Sequence, residues 1–368
     1  MEWHPEQDLP VEFHQLAGQV YAQDPKWLPE SGAQLKAAFS TEHAYFEPSQ
    51  KRKVWLSVQP GQSRLAGFYD PNQRIDDQSV AFFGFWETQN ELAPNQTLFR
   101  ELEQWAKQQG ADVLYGPINF TTFNAYRIRL SDFDQGCFPG EPYNPSYYVE
   151  LMAQLGFSVN CRYKTDFLIP SEVMQGARLV KHKFSRHFTF TELTGEFWLA
   201  HLAEFYAAID VIFSENFAYS PISYDVFSSS YGASIAQRLC PKTSVLALDQ
   251  KQRIAGFFLV FPDYAPLCCQ GASAPMALSE MSYAQHYAQL PEPRLALGKT
   301  MGVLPRYRNK GLRGGLYTIL SAEVAERVAQ HYAQTAACLM REGNPSQALV
   351  DRYRHHVRFY GLYEKALV

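Results

Sequence analysis

The stretch RYRNKGLRGGLY, residues 306–317, gathers Arg306, Arg308, Lys310 and Arg313 around Gly311, Gly314 and Gly315. Leu316, Leu320, Val324 and Val328 then recur every four residues, the period of an amphipathic helix. Glycines at a helix mouth let the backbone turn tightly and bring several N–H groups together. The first four N–H groups of a helix have no internal partner, and the helix dipole adds partial positive charge there. Such a turn suits an anion, a phosphate above all. It is not a Walker loop, because GxxxxGK[ST] is absent. The lack of GxGxxG argues against a dinucleotide fold.

The elements around this turn occur twice. NPSYYVELMAQLGF begins residues 144–163 and NPSQALVDRYRHHV begins residues 344–363, an ungapped offset of 200. Each runs into a short strand-like tail, YKTDFL and YEKALV. Upstream, VWLSVQPGQSRLAGF (54–68) resembles SVLALDQKQRIAGF (244–257), and both read as β-hairpins. The runs 80–87 and 297–305 are apolar strands, each leading to a helix, roughly 95–109 and 314–330. After those helices come the apolar runs 111–116 and 335–340. The ordered matches predict a duplicated α/β unit, with helices on a largely covered sheet. The expected division is 1–175 and 185–368, with a new strand at 187–193.

The copies differ in two respects. Residues 117–143 separate Gly116 from Asn144, whereas only 341–343 separate Met340 from Asn344. This insert is rich in aromatic residues, Gly and Pro. It is expected to fold over the mouth of the second domain's site, using Phe120, Phe123, Tyr126 and Phe138; the duplication equally permits a lid over the first half's own vestigial cleft. The first copy also has no glycine between Trp86 and its helix, so it offers no equivalent anion cradle.

Composition narrows the function. Hydrophobic residues make up 46% and charged residues 19%, as in a globular protein. The net charge of −4, with Lys51-Arg52-Lys53 as the one short basic cluster, argues against a nucleic-acid partner. The longest apolar stretch, 254–261, is too short to span a bilayer, so no membrane partner is expected. Six cysteines without C-x-x-C spacing read as free thiols in a reducing cytoplasm. No HExxH metal site and no Gly-x-Ser-x-Gly elbow is present.

The run Val303-Leu304-Pro305-Arg306-Tyr307-Arg308-Asn309-Lys310-Gly311-Leu312 resembles the acyl-CoA-binding motif of the GNAT acetyltransferase superfamily. Arg313 stands where that motif has Gly or Ala. The resemblance implies two tandem GNAT-like domains, each a mixed, mostly antiparallel sheet flanked by helices, with the first copy degenerate. It implies acetyl-CoA or another acyl-CoA as the substrate. Met301, Gly302 and Val303 would pair with the pantetheine arm. Arg308, Asn309, Lys310, Gly311, Leu312, Arg313, Gly314 and Gly315 would hold the pyrophosphate.

The resemblance also implies roles in acyl transfer to an amine. The N–H near Val303 would bind the oxyanion. Tyr353, on an expected last helix, would protonate the leaving thiolate, with Tyr360 and Tyr363 as alternatives. Glu342 is the candidate base, with His355 or His356 as weaker ones. The expected acceptor is the amine of a small molecule or peptide. Two other readings stay open: a non-catalytic tandem fold that binds a ligand or partner, and a Fem-like aminoacyl transferase. Cys338 reads as a structural residue in a core strand.

Overall fold

The computed structural model describes residues 2–175, 187–308, 315–344, 347 and 350–367. The chain opens with β1 (Glu2–Trp3), α1 (Val11–Val20) and α2 (Gly32–Ala38), then the hairpin β2 (Lys53–Gln59) and β3 (Ser63–Ile75). Next come β4 (Gln78–Thr88), α3 (Leu92–Gln108), β5 (Val113–Gly116), β6 (Ile128–Arg129), α4 (Tyr147–Gln154) and β7 (Ser158–Leu168). The second series has β8 (Thr189–Glu192), α5 (Gly195–Ala200), α6 (Leu202–Phe213) and α7 (Tyr224–Arg238). It continues with β9 (Val245–Leu248), β10 (Ile254–Pro262), β11 (Leu295–Val303), α8 (Gly315–His331), β12 (Gln334–Arg341) and β13 (Arg354–Ala366).

These strands form one sheet in the order β1-β2-β3-β4-β5-β13-β7-β12-β11-β10-β9-β8, with β6 beside β13. The order reads alike from both ends, except that the last strands are exchanged. β13 lies between β5 and β7, and β7 lies between β13 and β12. Each half therefore completes its sheet with the other half's final strand, and β7 and β13 pair antiparallel at the centre. In both halves a strand, a helix and a parallel strand form one crossover: β4–α3–β5 and β11–α8–β12.

The two faces of the sheet are covered by different helices. Phe13 of α1 and Leu35 of α2 pack on one face of the first half, and Leu98, Phe99 and Leu102 of α3 on the other. In the second half, Phe205 and Ile209 of α6 cover the face equivalent to that of α1, while Leu316, Leu320 and Val324 of α8 cover the reverse. Connections also cross between halves. Phe217 and Ala218, after α6, join the first half's core against Tyr115, and Leu28, after α1, packs with Tyr264 and Met281. Gln270 N donates to Trp27 O at 2.8 Å.

The last helix expected from the resemblance is replaced, among the described residues, by a short turn at Asp351–Tyr353 and the long strand β13. His355 and His356 lie on that strand, because pairing of Arg354 with Leu168 and His356 with Phe167 draws the segment into the sheet. Local helical pattern yields here to a tertiary partner.

Candidate functional site

The two wedges of the sheet differ. In the second half, β11 and β12 pair in parallel only from Leu295↔Gln334 to Gly298↔Ala337. Beyond that level each strand carries a bulge on its outer side. β11 shifts register against β10 at Lys299, and β12 shifts against β7 between Ala337 and Met340, where Leu339 has φ 55°. Bulges bend strands, so β11 and β12 part. Leu304 N donates to Ala255 O on β10, so by strand alternation the N–H groups of Val303 and Met301 point into the gap. Among the described residues no backbone group bonds across this gap.

The first half has the same crossover, but its gap is filled. The insert turns directly after β5, and Ile118 N donates to Phe83 O at 2.7 Å. The Asn119 side-chain oxygen accepts from Phe85 N at 2.8 Å. A Cβ on Gly84 would meet Ile118 O at 2.5 Å, so the strand accepts this filling only as glycine. The first half is thus closed by its own chain where the second is open.

At the mouth of the open gap stand Arg308 and the start of α8. Gly315 has φ 56°, and a Cβ there would lie 1.8 Å from Arg308 O. The backbone approach requires glycine twice over, by conformation and by space. Arg308 donates from Nε to Val303 O at 3.2 Å and from Nη2 to Ile212 O at 3.0 Å, fastening β11 to the end of α6. Tyr317, in the first turn of α8, lies against Arg308 and the Val303 backbone. Burial raises its hydroxyl pKa, and those two contacts oppose the rise. Gly302 packs under Phe257 and Ile212, where a Cβ would come within 2.7 Å. Asn309, Lys310, Gly311, Leu312, Arg313 and Gly314 lie outside the described residues.

The other sequence candidates separate. Tyr353 is half-buried beside Ala322 and Ala325 of α8 and Ala337 of β12, on the α8 side of the gap's closed end. Glu342 is exposed just past β12 and pairs with Arg162 at 4.0 Å. Tyr360 is fully buried; it donates to Glu141 and, at 3.1 Å, to Thr165. Tyr363 packs in the α3–α4 core of the first half. His355 pairs with Glu172 at 2.6 Å and His356 with Asp132. Cys338 is buried, and burial pushes its thiol up to about 12, unsuited to thiolate chemistry.

The insert is built into both halves. Phe120 enters the first half's core between Phe39, Tyr45 and Phe68. Phe123 packs on Tyr219 and Tyr231 of the second half, and Tyr231 donates to Phe123 O at 2.5 Å. Phe138 packs on Leu297, Ala336 and Cys338, on the face of β11 and β12 away from α8. There Lys299, at the closed end of the gap, donates to Pro139 O at 2.9 Å and lies 4.8 Å from the Phe138 ring centre. A buried network pins this part of the chain. Arg358 of β13 meets Glu141 at 2.7 Å, and Arg129 of β6 meets it at 3.1 Å. Sequence reading missed this network, because an insert carries no pattern that names its distant partners.

No family model matches the chain. No curated protein matches it. Solved structures do. A probable N-acyltransferase from Enterococcus faecalis superposes with TM-score 0.53 at 9% identity, covering 100% of this chain and 71% of that one. A tandem GNAT protein from the clavulanic acid biosynthesis pathway matches with TM-score 0.48 at 12% identity, over 97% and 93% of the two chains. A GCN5-related N-acetyltransferase from Sphaerobacter thermophilus matches with TM-score 0.44 at 12% identity, over 98% and 95%. The fold is GNAT-like: a mixed, mostly antiparallel sheet flanked by helices. Among the described residues, no helix is long and apolar enough to cross a membrane, and no His, Cys, Asp and Glu cluster is placed to hold a metal ion.

Proposed function

We propose that the protein is an acyl-CoA-dependent N-acyltransferase whose single working site is the gap between β11 and β12. The observation that carries this reading is the asymmetry of the two gaps. The gap filled by Ile118 and Asn119 belongs to the half without a glycine turn, and the unbridged gap leads to Gly315 and the helix start. In this reading 1–175 is a degenerate GNAT unit and 185–368 the working one.

The pantetheine arm would run along Met301–Val303, and the 308–315 turn would hold the pyrophosphate. The amine would attack the thioester carbonyl, forming the C–N bond and a tetrahedral oxyanion, whose collapse breaks the C–S bond and releases the thiolate. The Val303 N–H would bind the oxyanion, a contact worth most in a gap shielded from water. Tyr353 would give its proton to the thiolate from the α8 side, and Glu342 would accept the amine's proton at the mouth. The acceptor would be an amine of a small molecule or peptide.

The test is free-thiol release from acetyl-CoA with an amine panel. Tyr353→Phe should lower turnover by about a hundredfold while acetyl-CoA still binds. A Tyr353→Phe variant with parental turnover would remove Tyr353 from the chemistry. A second reading, a GNAT fold kept for binding alone, is favoured by one observation. Arg308 is occupied by Val303 O, Ile212 O and Glu215, and Tyr317 stands at the Val303 backbone. Acetyl-CoA binding without thiol release for any amine would support it.

A further inference from the structure

Arg127 is the residue of the insert whose charge the fold leaves uncommitted. Its guanidinium is held between two aromatic rings, 3.7 Å from the centre of Tyr126 and 3.9 Å from that of Tyr163. Its backbone has φ 85°, a conformation costly for a long side chain and usually kept at functional positions. Its Nε is buried and bonds to nothing. Nη2 reaches the Tyr126 hydroxyl, a neutral partner.

Two further cations stand on the same face. Arg341, the last residue of β12, is exposed and sits directly across from Tyr163 in the sheet, so its side chain shares Tyr163's face. Both arginines also lower the pKa of the Cys161 thiol against the burial that raises it. Lys299, at the closed end of the β11–β12 gap, has its pKa lowered by burial first and also by Arg127.

Among the described residues neither Arg127 nor Arg341 pairs with a carboxylate. Acidic groups of the region have other partners: Glu141 has Arg129, Arg358 and Tyr360, Glu364 has Asn160 at 2.7 Å, and Asp263, which acts on Lys299, accepts from Ala265 N at 3.0 Å. Three cations thus border the gap on the face away from α8. This is the face opposite Tyr353, from which an acceptor would approach. A planar guanidinium stacked between rings presents its fork edge-on, the geometry that matches a carboxylate with two parallel bonds.

We propose that Arg127, supported by Arg341 and Lys299, anchors the carboxylate of the acceptor, so that the acceptor is an amine that also carries an acid, such as an α-amino acid. This rests on the acyltransferase reading for the word acceptor, but the anchor itself is a binding site with its own test.

The experiment compares matched acceptors on the full chain: alanine with ethylamine, phenylalanine with phenethylamine, and phosphoethanolamine with ethanolamine. Thiol release from acetyl-CoA is measured for each, and direct binding of each acceptor is measured by calorimetry without acetyl-CoA. The parent should favour the amino acid over its amine, chiefly through KM. Arg127→Lys keeps the charge but not the planar, stacked fork. It should raise the amino acid's KM by about ten- to a hundredfold and leave the plain amine's KM in place. Arg341→Gln, at an exposed position, should weaken the same preference less and without loss of fold. Equal KM for amino acid and amine in the parent overturns the proposal, as does full rescue by Arg127→Lys. Preference for phosphoethanolamine over the amino acids overturns the carboxylate assignment. If no amine is acylated but the amino acids bind in an Arg127-dependent way, the acyltransferase reading fails and the anchor stands. If acylation proceeds but no such binding or discrimination is found, the anchor fails alone.

Discussion

Glu87 offers a perturbation with a clear sign. It stands near the end of β4, where the hydroxyls of Tyr148 and Tyr21 both donate to its Oε2, at 2.7 and 3.1 Å. Arg64 lies nearby, but its guanidinium serves Phe13 O, Phe85 O and Glu30. Burial raises the Glu87 carboxyl from 4.5 to about 7, against the opposing pull of Arg64 and the two tyrosines. The folded state therefore prefers the neutral acid. In the unfolded chain the proton leaves near the ordinary value, so folding takes up a proton between those limits. Stability is full below about pH 4.5 and falls as pH rises towards 7. At about 1.4 kcal/mol per pH unit, the difference sets an upper bound of about 3 kcal/mol. Because Glu87 is only half-buried by area, about 1–2 kcal/mol is the expected loss. Urea unfolding of the parent and Glu87→Gln at pH 5, 6, 7 and 8 measures it. The amide accepts the same hydroxyls and cannot ionise, so the variant should gain on the parent by about 1–2 kcal/mol between pH 5 and 8. Two parallel curves would refute the reasoning and mean that Glu87 titrates as an ordinary surface acid.

Three further outcomes follow from the packing. Glu141→Ala leaves Arg129 and Arg358 buried without their shared carboxylate, and thermal or denaturant unfolding should show a loss of about 3–5 kcal/mol. Gly315→Val places a side chain 1.8 Å from Arg308 O at a left-handed backbone, so acetyl-CoA binding should fall below detection while far-UV circular dichroism changes little. Residues 1–175 expressed alone lack the strand that separates β5 from β7, and should self-associate on size exclusion until 185–368 is co-expressed.

Much of the scaffold could be read from sequence, because it depends on local pattern. The hairpins at 54–68 and 244–257 and the helices after each apolar strand fall within a few residues of the expected places. The glycine run ending at Gly315 marks a helix start whose conformation demands it. The exchange of β7 and β13 was hidden, since a strand's sequence states which face is apolar but not which neighbour it pairs with. The sequence leaves open whether the insert covers the second half's site or the first half's own cleft. Its first residues fill the first half's gap, and that depends on Gly84 and Gly116, whose missing side chains admit Ile118 and Phe83. Phe138 packs on the second half's Leu297, Ala336 and Cys338, whereas Phe120 belongs to the first half's core. Arg127, Arg129 and Glu141 carry no motif, and their roles arise only when the insert meets β7 and β13.

The central claim is one acyl-CoA site per chain, in the gap between β11 and β12. Isothermal titration of the full chain with acetyl-CoA, repeated on Gly315→Val, tests it most directly. The account predicts one equivalent bound by the parent and none by the variant. Two equivalents in the parent would show that the plug at Ile118 and Asn119 does not close the first half, and one equivalent retained in Gly315→Val would place the site elsewhere. Either result contradicts the account.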